Sequence, residues 1–556
     1  MDRRLIKDQP LEENSVWHIA GFLRVSKSLG KLLFTNIEDV SGSIQVLFKG
    51  EQAQELLKIK RESVLSVEGI LKKRKSINPS IPLGEWELIA EKYEVLSEAR
   101  KVLPFELTSA SDRPQEATRL KYRYLDIRRE VKANLISKSE ILRIFRDHLV
   151  HENFMEVFTP SLSISSQEGA NTFDTRVLRE KKEAIFSLSQ SPQLYKQLLM
   201  IGGLERYFQI ANCFRLEDLR ADRQYEFFQI DIEMAFSNQE KLFSIIETAL
   251  SKIWSQFKKS ELPTPFPRIS YDEALKRYGS DKPDLRYEFL IDDLSSHFKE
   301  LSKANGHDEA HGLFIPDIEI FQVEEKWINS IITKNDIYIL KIQDGKVMRS
   351  SLMNMSYEDI SIPKVSSPLS YKNGTLILVT CDELTRKNAL TSLGSLRMHF
   401  SKRPKAQLEQ EYKFAWIVDW PLFEYNELQG KWVVAHHLFT KPASGSVGFD
   451  IKGERSMGYD LVLNGVELAS GSERNNDLDV QNYIFSLAGL SAQEIEDNFG
   501  WFLEAFNYGV PPHMGIAIGV DRLVQMILGV PSIREVIAFP KNNHGICPLT
   551  NAPKLL

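Results

Sequence analysis

The polar residues best suited to chemistry lie between positions 213 and 233 of the 556-residue chain. Arg215 and Glu217 follow an apolar-rich stretch over 206–211, and an alternating pattern resumes over 228–234. The pattern predicts a strand, a charged loop and a second strand. Residues two apart on a strand point to the same face, so this arginine and glutamate would face one pocket. Such a pair suits a ligand that carries both a phosphate and hydrogen-bond donors, although an exposed charged hairpin would show the same pattern.

Two carboxylates around an Asn-Gly pair form a second candidate site. Asn464 and Gly465 separate two short apolar segments, and Asn-Gly is the strongest short-range signal for a hairpin with a type I′ turn. The expected cross-strand pairs are Leu463 with Val466, Val462 with Glu467, and Leu461 with Leu468. This register makes Asp460 and Glu467 diagonal neighbours on one face, about 7–8 Å apart at Cα. Two carboxylates at that spacing favour a cation between them, and Mg²⁺ shared with substrate phosphates is the natural partner. Two solvated acids on an exposed face are the alternative.

Composition indicates what kind of protein must position these groups. Hydrophobic residues make up 42%, charged residues 26% and aromatic residues 10%, which excludes collagen-like, low-complexity and wholly disordered chains. The three cysteines, Cys213, Cys381 and Cys547, lack metal-ligand spacing, so a disulfide scaffold is excluded and a reducing compartment is expected. No apolar run reaches the roughly 18 residues of a membrane span, and the N-terminus has no apolar signal core. We therefore expect a soluble, cytoplasmic, multidomain protein, and its net charge of −6 is not that of a general polyanion binder.

The pattern of elements changes along the chain and predicts five segments. Short strands with one helix in the first hundred residues predict a small β-barrel. A polar stretch without periodicity follows, and then a long amphipathic helix with further strands. A block of weak mixed α/β patterning interrupts this second pattern, so we interpret the block as an insertion into a split domain. The predicted segments are 1–103 (barrel), 104–130 (hinge or linker), 131–283 (first part of the main domain), 284–400 (inserted domain) and 401–556 (second part of the main domain).

Three segments resemble, in the expected order, the motifs of class II aminoacyl-tRNA synthetases. The matching segments are 154–160 for the end of motif 1, 214–227 with Arg215, Glu217, Arg223 and Phe227 for motif 2, and 515–522 for motif 3. Finer matches are similar to the bacterial-type aspartyl-tRNA synthetase family, and they are 123–129, 190–197, 218–224, 279–286, 459–472 and 537–541. The resemblance covers nearly the whole chain. It implies an α+β multidomain protein with an N-terminal OB-fold barrel, a class II antiparallel sheet rather than a Rossmann fold, an inserted α/β domain, and a homodimer.

The resemblance also implies a reaction, in which aspartate and ATP give aspartyl-adenylate and pyrophosphate before the aspartyl group passes to the 3′ end of a tRNA. Arg215 and Arg522 are the implied catalytic residues, the first on the α-phosphate and the attacking carboxylate, the second on the adenine opposite Phe227. Glu217 would accept from the adenine amino group, and Arg223 would meet the outer phosphates. The residues implied in ATP binding are Arg215, Leu216, Glu217, Arg223, Gln224, Phe227, Glu467, Gly519, Val520, Asp521 and Arg522. Mg²⁺ is the implied cofactor, held by the carboxylate pair that flanks the Asn-Gly turn.

Amino-acid selectivity is implied to come from cations, because the substrate side chain is a carboxylate. By the resemblance, Lys196 and Arg474 hold that carboxylate, while Glu168 and Gln193 hold the α-amino group. Ser191 is a candidate N-cap for the helix that presents this lysine, and a loop with two adjacent histidines would close over the substrate. The implied aspartate-binding residues are Glu168, Ser191, Gln193, Lys196, Arg215, Gln229, Asp231, His436, His437 and Arg474.

The barrel resembles an OB-fold that binds an anticodon, and such barrels bind single strands by stacking bases on aromatic side chains. Phe34 and Gln45 fall where the family places a stacking aromatic and a base-contacting amide, although a strand phenylalanine buried in a core is the alternative. Leu29 lies in the divergent hairpin that is implied in discriminating tRNA(Asp) from tRNA(Asn), so either one or both are possible partners. Pro160 would lie at the homodimer interface, and no membrane partner is expected.

The chain departs from the family pattern in several places. The first barrel hairpin is less arginine-rich, Asn171 and Thr172 stand where Arg-Asp is common, Leu216 replaces an acidic residue, and Leu438 replaces a proline. None of these changes removes a residue assigned to phosphate, metal or carboxylate, so activity is expected.

Two other functions are alternatives to the ligation of aspartate. Activation of asparagine on the same scaffold is disfavoured by the two implied cations, and a degenerate RNA-binding relative is disfavoured by the retained site residues.

Overall fold

The computed structural model describes residues 3–79, 83–107, 113–164, 171–287, 289–316, 328, 336–344, 346–350, 373–401, 411–426 and 430–554. The chain forms two compact units, Met1–Glu130 and Val131–Leu556. Within the described ranges, no helix combines the length and the apolar character that crossing a bilayer requires.

The first unit is built around a closed barrel of five strands. They are β1 (Val16–Leu29), β2 (Leu32–Glu38), β3 (Ser43–Lys49), β4 (Val64–Lys73) and β5 (Trp86–Ser97). The order is β1-β2-β3-β5-β4, in which β3 and β5 run parallel and the other neighbours antiparallel. Leu33, Thr35 and Ile37 alternate into the barrel, which is the period of a half-buried strand. Helix α1 (Gly50–Leu56) connects β3 to β4, and a 3₁₀ turn at Ile6–Asp8 precedes the barrel. The predicted OB-fold is confirmed.

The segment predicted as a hinge or linker contains helical turns, namely α2 (Glu116–Lys121), α3 (Arg123–Asp126) and a π turn at Ile127–Val131. The buried carboxylate of Asp126 accepts from Arg119 Nε at 2.9 Å and from Arg123 Nη1 at 2.6 Å. These pairs lie after the polar stretch around 108–118 that suggested a linker, of which residues 108–112 lie outside the described residues, and the linker stays a prediction.

The second unit alternates strands and helices along the chain. Its strands are β6 (Met155–Glu156), β7 (Leu162–Ser163), β8 (Asp174–Arg179), β9 (Lys182–Leu188), β10 (Arg206–Phe214), β11 (Glu226–Ala235), β12 (Arg268–Ser270), β13 (Ile291–Asp293), β14 (Glu309–Pro316), β15 (Asp336–Gln343), β16 (Lys346–Ser350), β17 (Gly374–Cys381), β18 (Phe414–Val418), β19 (Trp420–Pro421), β20 (Phe423–Asn426), β21 (Lys431–Val434), β22 (Arg455–Ser456), β23 (Gly458–Leu463), β24 (Val466–Glu473) and β25 (His513–Gly519). Its helices are α4 (Lys132–His151), α5 (Gln193–Ile201), α6 (Gln239–Lys258), α7 (Tyr271–Tyr278), α8 (Lys299–Ala304), α9 (Arg386–Ser401), α10 (Leu478–Leu487), α11 (Ala492–Leu503) and α12 (Val520–Leu528). Two 3₁₀ turns span Glu504–Tyr508 and Ile533–Glu535.

The main sheet has eight strands in the order β12-β18-β23-β24-β25-β11-β10-β6. The five central pairings are antiparallel, and only the two outer pairings, β12 with β18 and β10 with β6, are parallel. In the core, Phe243 of α6 stacks on Trp416 of β18 with ring centroids 3.9 Å apart. Tyr459 packs edge-on against Phe243, with ring centroids 5.0 Å apart. Asn238 caps α6 by accepting from the backbone N–H of Lys241. The predicted class II antiparallel sheet, as opposed to a Rossmann fold, is confirmed.

A second sheet lies within the block interpreted as an insertion. Its antiparallel order is β13-β14-β17-β15-β16. On one face, Leu393 of α9 belongs to a core cluster with Ile377 and Val379 of β17, and on the other Phe298 packs with Leu376. The remaining strands form the small sheets β7-β9-β8, β19-β22 and β20-β21.

Candidate active site

A cavity of about 870 Å³ lies among β11, β24, β25 and the loop that joins β10 to β11. The predicted site residues that line it are Ser191, Gln193, Arg215, Glu217, Arg223, Gln224, Phe227, Gln229, Asp231, His436, His437, Glu467, Gly519, Asp521 and Arg522. Lys196, Asp460 and Arg474 are buried outside this lining and contact residues that belong to it. Leu216 is exposed outside the lining, and Glu168 lies outside the described residues. The structure therefore brings most of the candidate ATP and aspartate residues to one cavity.

Arg215 follows the last residue of β10 at one end of this cavity. Its backbone N–H donates to the carbonyl oxygen of Tyr225 at 2.9 Å and so closes the hairpin. Its guanidinium carbon lies 5.3 Å from the ring centroid of Phe227, which is a cation–π contact. The buried Nε finds no hydrogen-bond partner among the described residues. A guanidinium that is held in place and keeps a free donor is suited to bind an anionic ligand.

Two further arginines reach the cavity from the same loop and from α12. Arg223 Nη1 lies 3.0 Å from Glu217 Oε2. Arg522 Nη1 donates to the main-chain oxygen of Glu467 at 2.6 Å, and its Nη2 lies 3.2 Å from Asp222 Oδ2. Both guanidiniums are partly exposed and are held by one or two acceptors, so each retains donors for a ligand.

The other candidates at the β25–α12 junction hold the start of the helix that presents Arg522. Gly519 occupies the N-cap position of α12, and Val520 is fully buried in the core of the unit. Burial raises the pKa of Asp521, while the Lys138 ammonium, 2.5 Å from its Oδ1, opposes that rise. The start of α12, which presents Arg522, is thereby fixed against α4.

Asp460 and Glu467 lie on the two strands of the predicted hairpin. Asn464 (φ 51°) and Gly465 (φ 82°) both adopt left-handed conformations, as a type I′ turn requires. The observed cross-strand pairs are Leu463 with Val466, Val462 with Glu467, and Leu461 with Ala469. The prediction that the last of these pairs involves Leu468 is wrong, because a β-bulge makes Leu468 an extra residue on its strand.

The carboxylate pair lies among groups that leave Asp460 short of positive charge. Asp460 is buried, its Oδ1 has no hydrogen-bond partner among the described residues, and His436 Nε2 lies 3.4 Å away. Burial lowers the pKa of His436 to about 4, so this imidazole is neutral near pH 7. Burial, reinforced by Glu467, raises the pKa of Asp460 well above its usual range. Lys282 Nζ lies 3.0 Å from Glu467 Oε2, and no comparable ammonium pairs with Asp460 among the described residues.

A buried ion-pair network lies behind the part of the lining formed by Asp231. Lys196 Nζ of α5 is 2.5 Å from Asp231 Oδ1 and 3.1 Å from Glu233 Oε2. Arg474 donates from Nε and Nη2 to the two oxygens of Glu233 at 2.8 and 3.1 Å. Burial raises the pKa of Asp231. Burial alone would raise the pKa of Glu233 too, but Arg474 and Lys196 lower it to about 2. Two fixed cations therefore lie beside the cavity.

Two neighbours shape this network. A Cβ on Gly515 of β25 would lie 1.8 Å from Glu233 Oε2, so only glycine leaves room for that carboxylate. Arg474 Nη1 donates to Ser472 Oγ at 2.7 Å and lies 2.5 Å from His437 Nε2. Burial, with help from Arg474, lowers the pKa of His437 well below 6.5, so a neutral imidazole stands beside the cations.

Sequence reasoning missed two charged groups of the site. Glu233 is two residues after Asp231 on β11, and that spacing places both carboxylates on one face of the strand. Lys282 lies in the 279–286 segment, which carried a family resemblance but no assigned role. The spacing of two residues from Asp231 was a sequence signal that could have identified Glu233. No such signal pointed to Lys282, because its contact with Glu467 joins positions far apart in the chain.

At the N-terminus of α5, Ser191 and Gln193 lie at the cavity. The cap position is occupied by Pro192, but Ser191 Oγ accepts the backbone N–H of Gln193 at 3.3 Å, as a capping serine does. The buried Nε2 of Gln193 has no hydrogen-bond partner among the described residues. This end of the helix thus presents a free amide donor to the cavity.

In the first unit, Phe34 and Gln45 lie on the outer face of neighbouring barrel strands. Asn36, two residues after Phe34 on β2, pairs with Gln45, so the aromatic ring and the amide are diagonal neighbours. Phe34 is half-buried, and Gln45 Nε2 donates to Glu87 Oε2 at 3.0 Å. Leu29, the last residue of β1, is 66% exposed.

Pro160 is exposed just beyond β6, the edge strand of the main sheet. Nearby, Met155 and Phe158 are 52% and 73% exposed. An exposed apolar edge of this kind is suited to contact with another chain.

The antiparallel main sheet with its arginine-lined cavity, together with a closed anticodon-type barrel, is the architecture of a class II aminoacyl-tRNA synthetase. The chain belongs to the family described as tRNA synthetases class II (D, K and N), which it matches over residues 115–543. Residues 17–96 match the OB-fold nucleic acid binding domain. The predicted enzyme class is therefore confirmed.

Individual relatives extend over almost the whole chain. It is 38% identical over 552 residues to an aspartate–tRNA ligase of Malacoplasma penetrans. This alignment covers 96% of this chain and 93% of the Malacoplasma protein. It is 38% identical over 559 residues to an aspartate–tRNA(Asp/Asn) ligase of Thermotoga maritima, covering 98% and 95%. The asparaginyl-tRNA synthetase of Pyrococcus horikoshii, solved with asparaginyl-adenylate, has a TM-score of 0.60 at 20% identity, covering 97% and 98%, and so shares the fold.

Proposed function

We propose that this protein is an aspartate–tRNA ligase, which activates L-aspartate with ATP and transfers the aspartyl group to the 3′ end of tRNA(Asp). The observation that carries the proposal is the buried network beside the cavity that contains Arg215, in which Lys196 and Arg474 are held by Asp231 and Glu233. An anionic side chain needs fixed positive charge in its pocket, and a neutral substrate does not. The two relatives named as aspartate–tRNA ligases support the same substrate.

The first step would be an in-line attack of the aspartate α-carboxylate on the α-phosphate, in which the new carboxyl–phosphate bond forms as the bond to pyrophosphate breaks. Two anions approach each other, so positioning and positive charge supply most of the catalysis. Arg215 would bind both anions through its planar guanidinium. Arg522 and Phe227 would hold the adenine from opposite sides, while Glu217 accepts from its amino group. Arg223 would exchange its contact with Glu217 for the outer phosphates.

In this proposal Asp460 and Glu467 hold Mg²⁺. Two features of the structure fit that ion: a buried oxygen of Asp460 lacks a hydrogen-bond partner among the described residues, and carboxylate oxygens are the ligands that Mg²⁺ prefers. When bound, the ion would neutralise charge on the ATP phosphates.

Replacing Glu467 by glutamine is expected to raise the Mg²⁺ concentration for half-maximal pyrophosphate exchange by about tenfold or more, because one anionic ligand is lost. A Mg²⁺ titration of aspartate-dependent exchange measures the shift. Glu473→Gln is the matched control, since Glu473 lies on the same strand, outside the cavity lining, with Lys441 Nζ 3.9 Å away. An unchanged Mg²⁺ dependence in Glu467→Gln would remove this carboxylate from the metal site.

The amino-acid pocket would be completed by residues around the cation pair. Glu168 and Gln193 would bind the α-amino end by accepting its N–H groups on their side-chain oxygens, while Gln229 and Asp231 support the pocket floor. The adjacent histidines, His436 and His437, would close over the substrate as neutral groups.

The barrel would bind the tRNA anticodon, with Phe34 stacking on a base and Gln45 contacting a base edge. Leu29 would take part in choosing between tRNA(Asp) and tRNA(Asn).

We further propose that the protein is a cytoplasmic homodimer with Pro160 at the interface, where the exposed apolar edge supports such a contact.

Phe34→Ala is expected to lower kcat/KM for charging of tRNA(Asp) by about 10- to 100-fold, the cost of one lost base–aromatic stack. Pyrophosphate exchange without tRNA should stay unchanged, because the barrel takes no part in adenylate formation. Val16→Ala, at a position on the same barrel that is 61% exposed, is the control. Normal charging by Phe34→Ala would show that this ring does not stack on the anticodon.

The proposed function as a whole is tested by charging purified tRNA(Asp) and tRNA(Asn) with radiolabelled aspartate or asparagine, ATP and Mg²⁺. We expect aspartate to be attached to tRNA(Asp), and attachment to both tRNAs would identify a relaxed enzyme. Stronger exchange with asparagine than with aspartate would overturn the assignment of the substrate. Absence of both charging and exchange would favour a degenerate RNA-binding protein.

A further inference from the structure

Lys282 is the ammonium nearest to the carboxylate pair among the described residues. Its Nζ lies 3.0 Å from Glu467 Oε2 and 3.6 Å from Asp281 Oδ2, and its side chain lines the cavity. The ion pair is only partly covered, with 38% of the lysine and 30% of the glutamate side chain exposed. A pair of this kind is weak enough to be broken by a stronger cation.

The inserted block holds the segment that carries Lys282. Gly279 ends α7 with φ +65°, directly against α9, where a Cβ on Gly394 would lie 2.3 Å from the Gly279 carbonyl oxygen. Further along, three main-chain carbonyl oxygens within 284–289 accept hydrogen bonds from the buried guanidinium of Arg397 at 2.7, 2.8 and 2.9 Å. The backbone is thus fixed on both sides of Lys282, which keeps the ammonium within reach of the hairpin.

We infer that Lys282 is a positioning residue that serves as the built-in counter-cation of Glu467 and competes with the divalent cation for that carboxylate. The inference rests on the proposed function, since it takes Asp460 and Glu467 as the metal ligands. A divalent ion attracts the carboxylate more strongly than a single ammonium does, so it displaces Lys282 from Glu467 when it binds. In the absence of the ion, the ammonium reduces the repulsion between the two carboxylates and keeps Glu467 in place.

If Lys282 competes with the metal, removing its ammonium should increase the affinity for the divalent cation, and other roles of a lysine do not predict that increase. Removing the ammonium eliminates a competitor and a nearby positive charge, so Lys282→Gln should bind a divalent cation about three- to tenfold more tightly than the unaltered protein. Lys282→Arg retains the charge and should bind the ion with nearly the original affinity. A lysine that served only to bind phosphate would leave the affinity for the metal alone unchanged.

The test is Mn²⁺ binding to the full chain without ATP, measured from the electron paramagnetic resonance signal of free Mn²⁺. Lys241→Gln is the matched control, because Lys241 pairs with Glu152 at the same 3.0 Å, with 45% and 25% side-chain exposure, away from the cavity. Tighter binding in Lys282→Gln alone supports the inference. Unchanged or weaker binding in Lys282→Gln overturns it, as does a loss of ATP affinity without any change in Mn²⁺ affinity.

Glu467→Gln separates this inference from the proposed metal site. If Glu467→Gln binds Mn²⁺ as tightly as the unaltered protein, the proposed site itself fails and the inference falls with it. If Glu467→Gln loses the site while Lys282→Gln behaves like the unaltered protein, the metal site stands and only the role of Lys282 is overturned.

Discussion

Replacing Arg215 by glutamine is expected to lower kcat/KM for aspartate-dependent pyrophosphate exchange by about 10³ or more. The guanidinium is held over Phe227 with a buried Nε that has no partner among the described residues, so its donors are directed before any ligand arrives. Such preorganised positive charge contributes most where charge builds up between two approaching anions. Glutamine keeps some hydrogen bonding but removes the charge, and the loss should therefore fall mainly on kcat.

Steady-state exchange kinetics for a series at this position would show which property of the arginine matters. Arg215→Lys keeps the charge but loses the planar fork, so we expect an intermediate loss. Arg277→Gln is the control for an arginine change elsewhere, since Arg277 lies on α7 and pairs with Glu273 at 3.1 Å with both side chains about half exposed. Activity of Arg215→Gln within tenfold of the original would contradict a role in adenylate formation.

Local patterns predicted those parts of the fold that depend on neighbouring residues. The alternation around 206–234 predicted the β10–β11 hairpin, and Asn464-Gly465 predicted the turn between β23 and β24. The bulge at Leu468 escaped prediction because an Asn-Gly turn sets the register only of the pairs beside it. The register shift lies beyond those pairs, between Leu461 and Val462.

Long-range pairing and charge burial were beyond the reach of the sequence pattern. Strand β25 pairs with β11, joining Gln229 to Gly519 across almost 300 positions, and no local periodicity encodes that choice. The class II sheet was predicted through a family resemblance and not from periodicity. The contact between Lys282 and Glu467 also joins positions far apart in the chain, and it became visible only when the hairpin and the segment before the inserted block were placed together.

Replacing Arg474 by leucine is expected to abolish aspartate-dependent exchange, a loss of about 10³ or more, while ATP affinity stays within about threefold. The arginine donates to both oxygens of Glu233 and lies next to Lys196 and Asp231, whereas the arginines proposed for ATP lie on other elements. Exchange kinetics with aspartate and calorimetric ATP binding measure the two effects separately. Normal exchange by a folded Arg474→Leu protein would remove this residue from the aspartate site.

Arg474→Leu is also expected to lower the folding stability of the protein, and a double variant separates that effect from the loss of exchange. Leucine alone leaves the buried Glu233 without its bidentate partner, and breaking a buried pair from one side costs about 3–5 kcal/mol. Adding Glu233→Gln removes the unpaired charge, so the double variant should recover much of the lost thermal stability in a melting experiment. It should not recover exchange with aspartate, because the cation that would bind the substrate carboxylate is still missing. Recovery of stability without recovery of exchange would therefore separate the role of Arg474 in substrate binding from its role in holding the core together. Recovery of both would show that the ion pair is structural and that Lys196 alone provides the charge for the substrate.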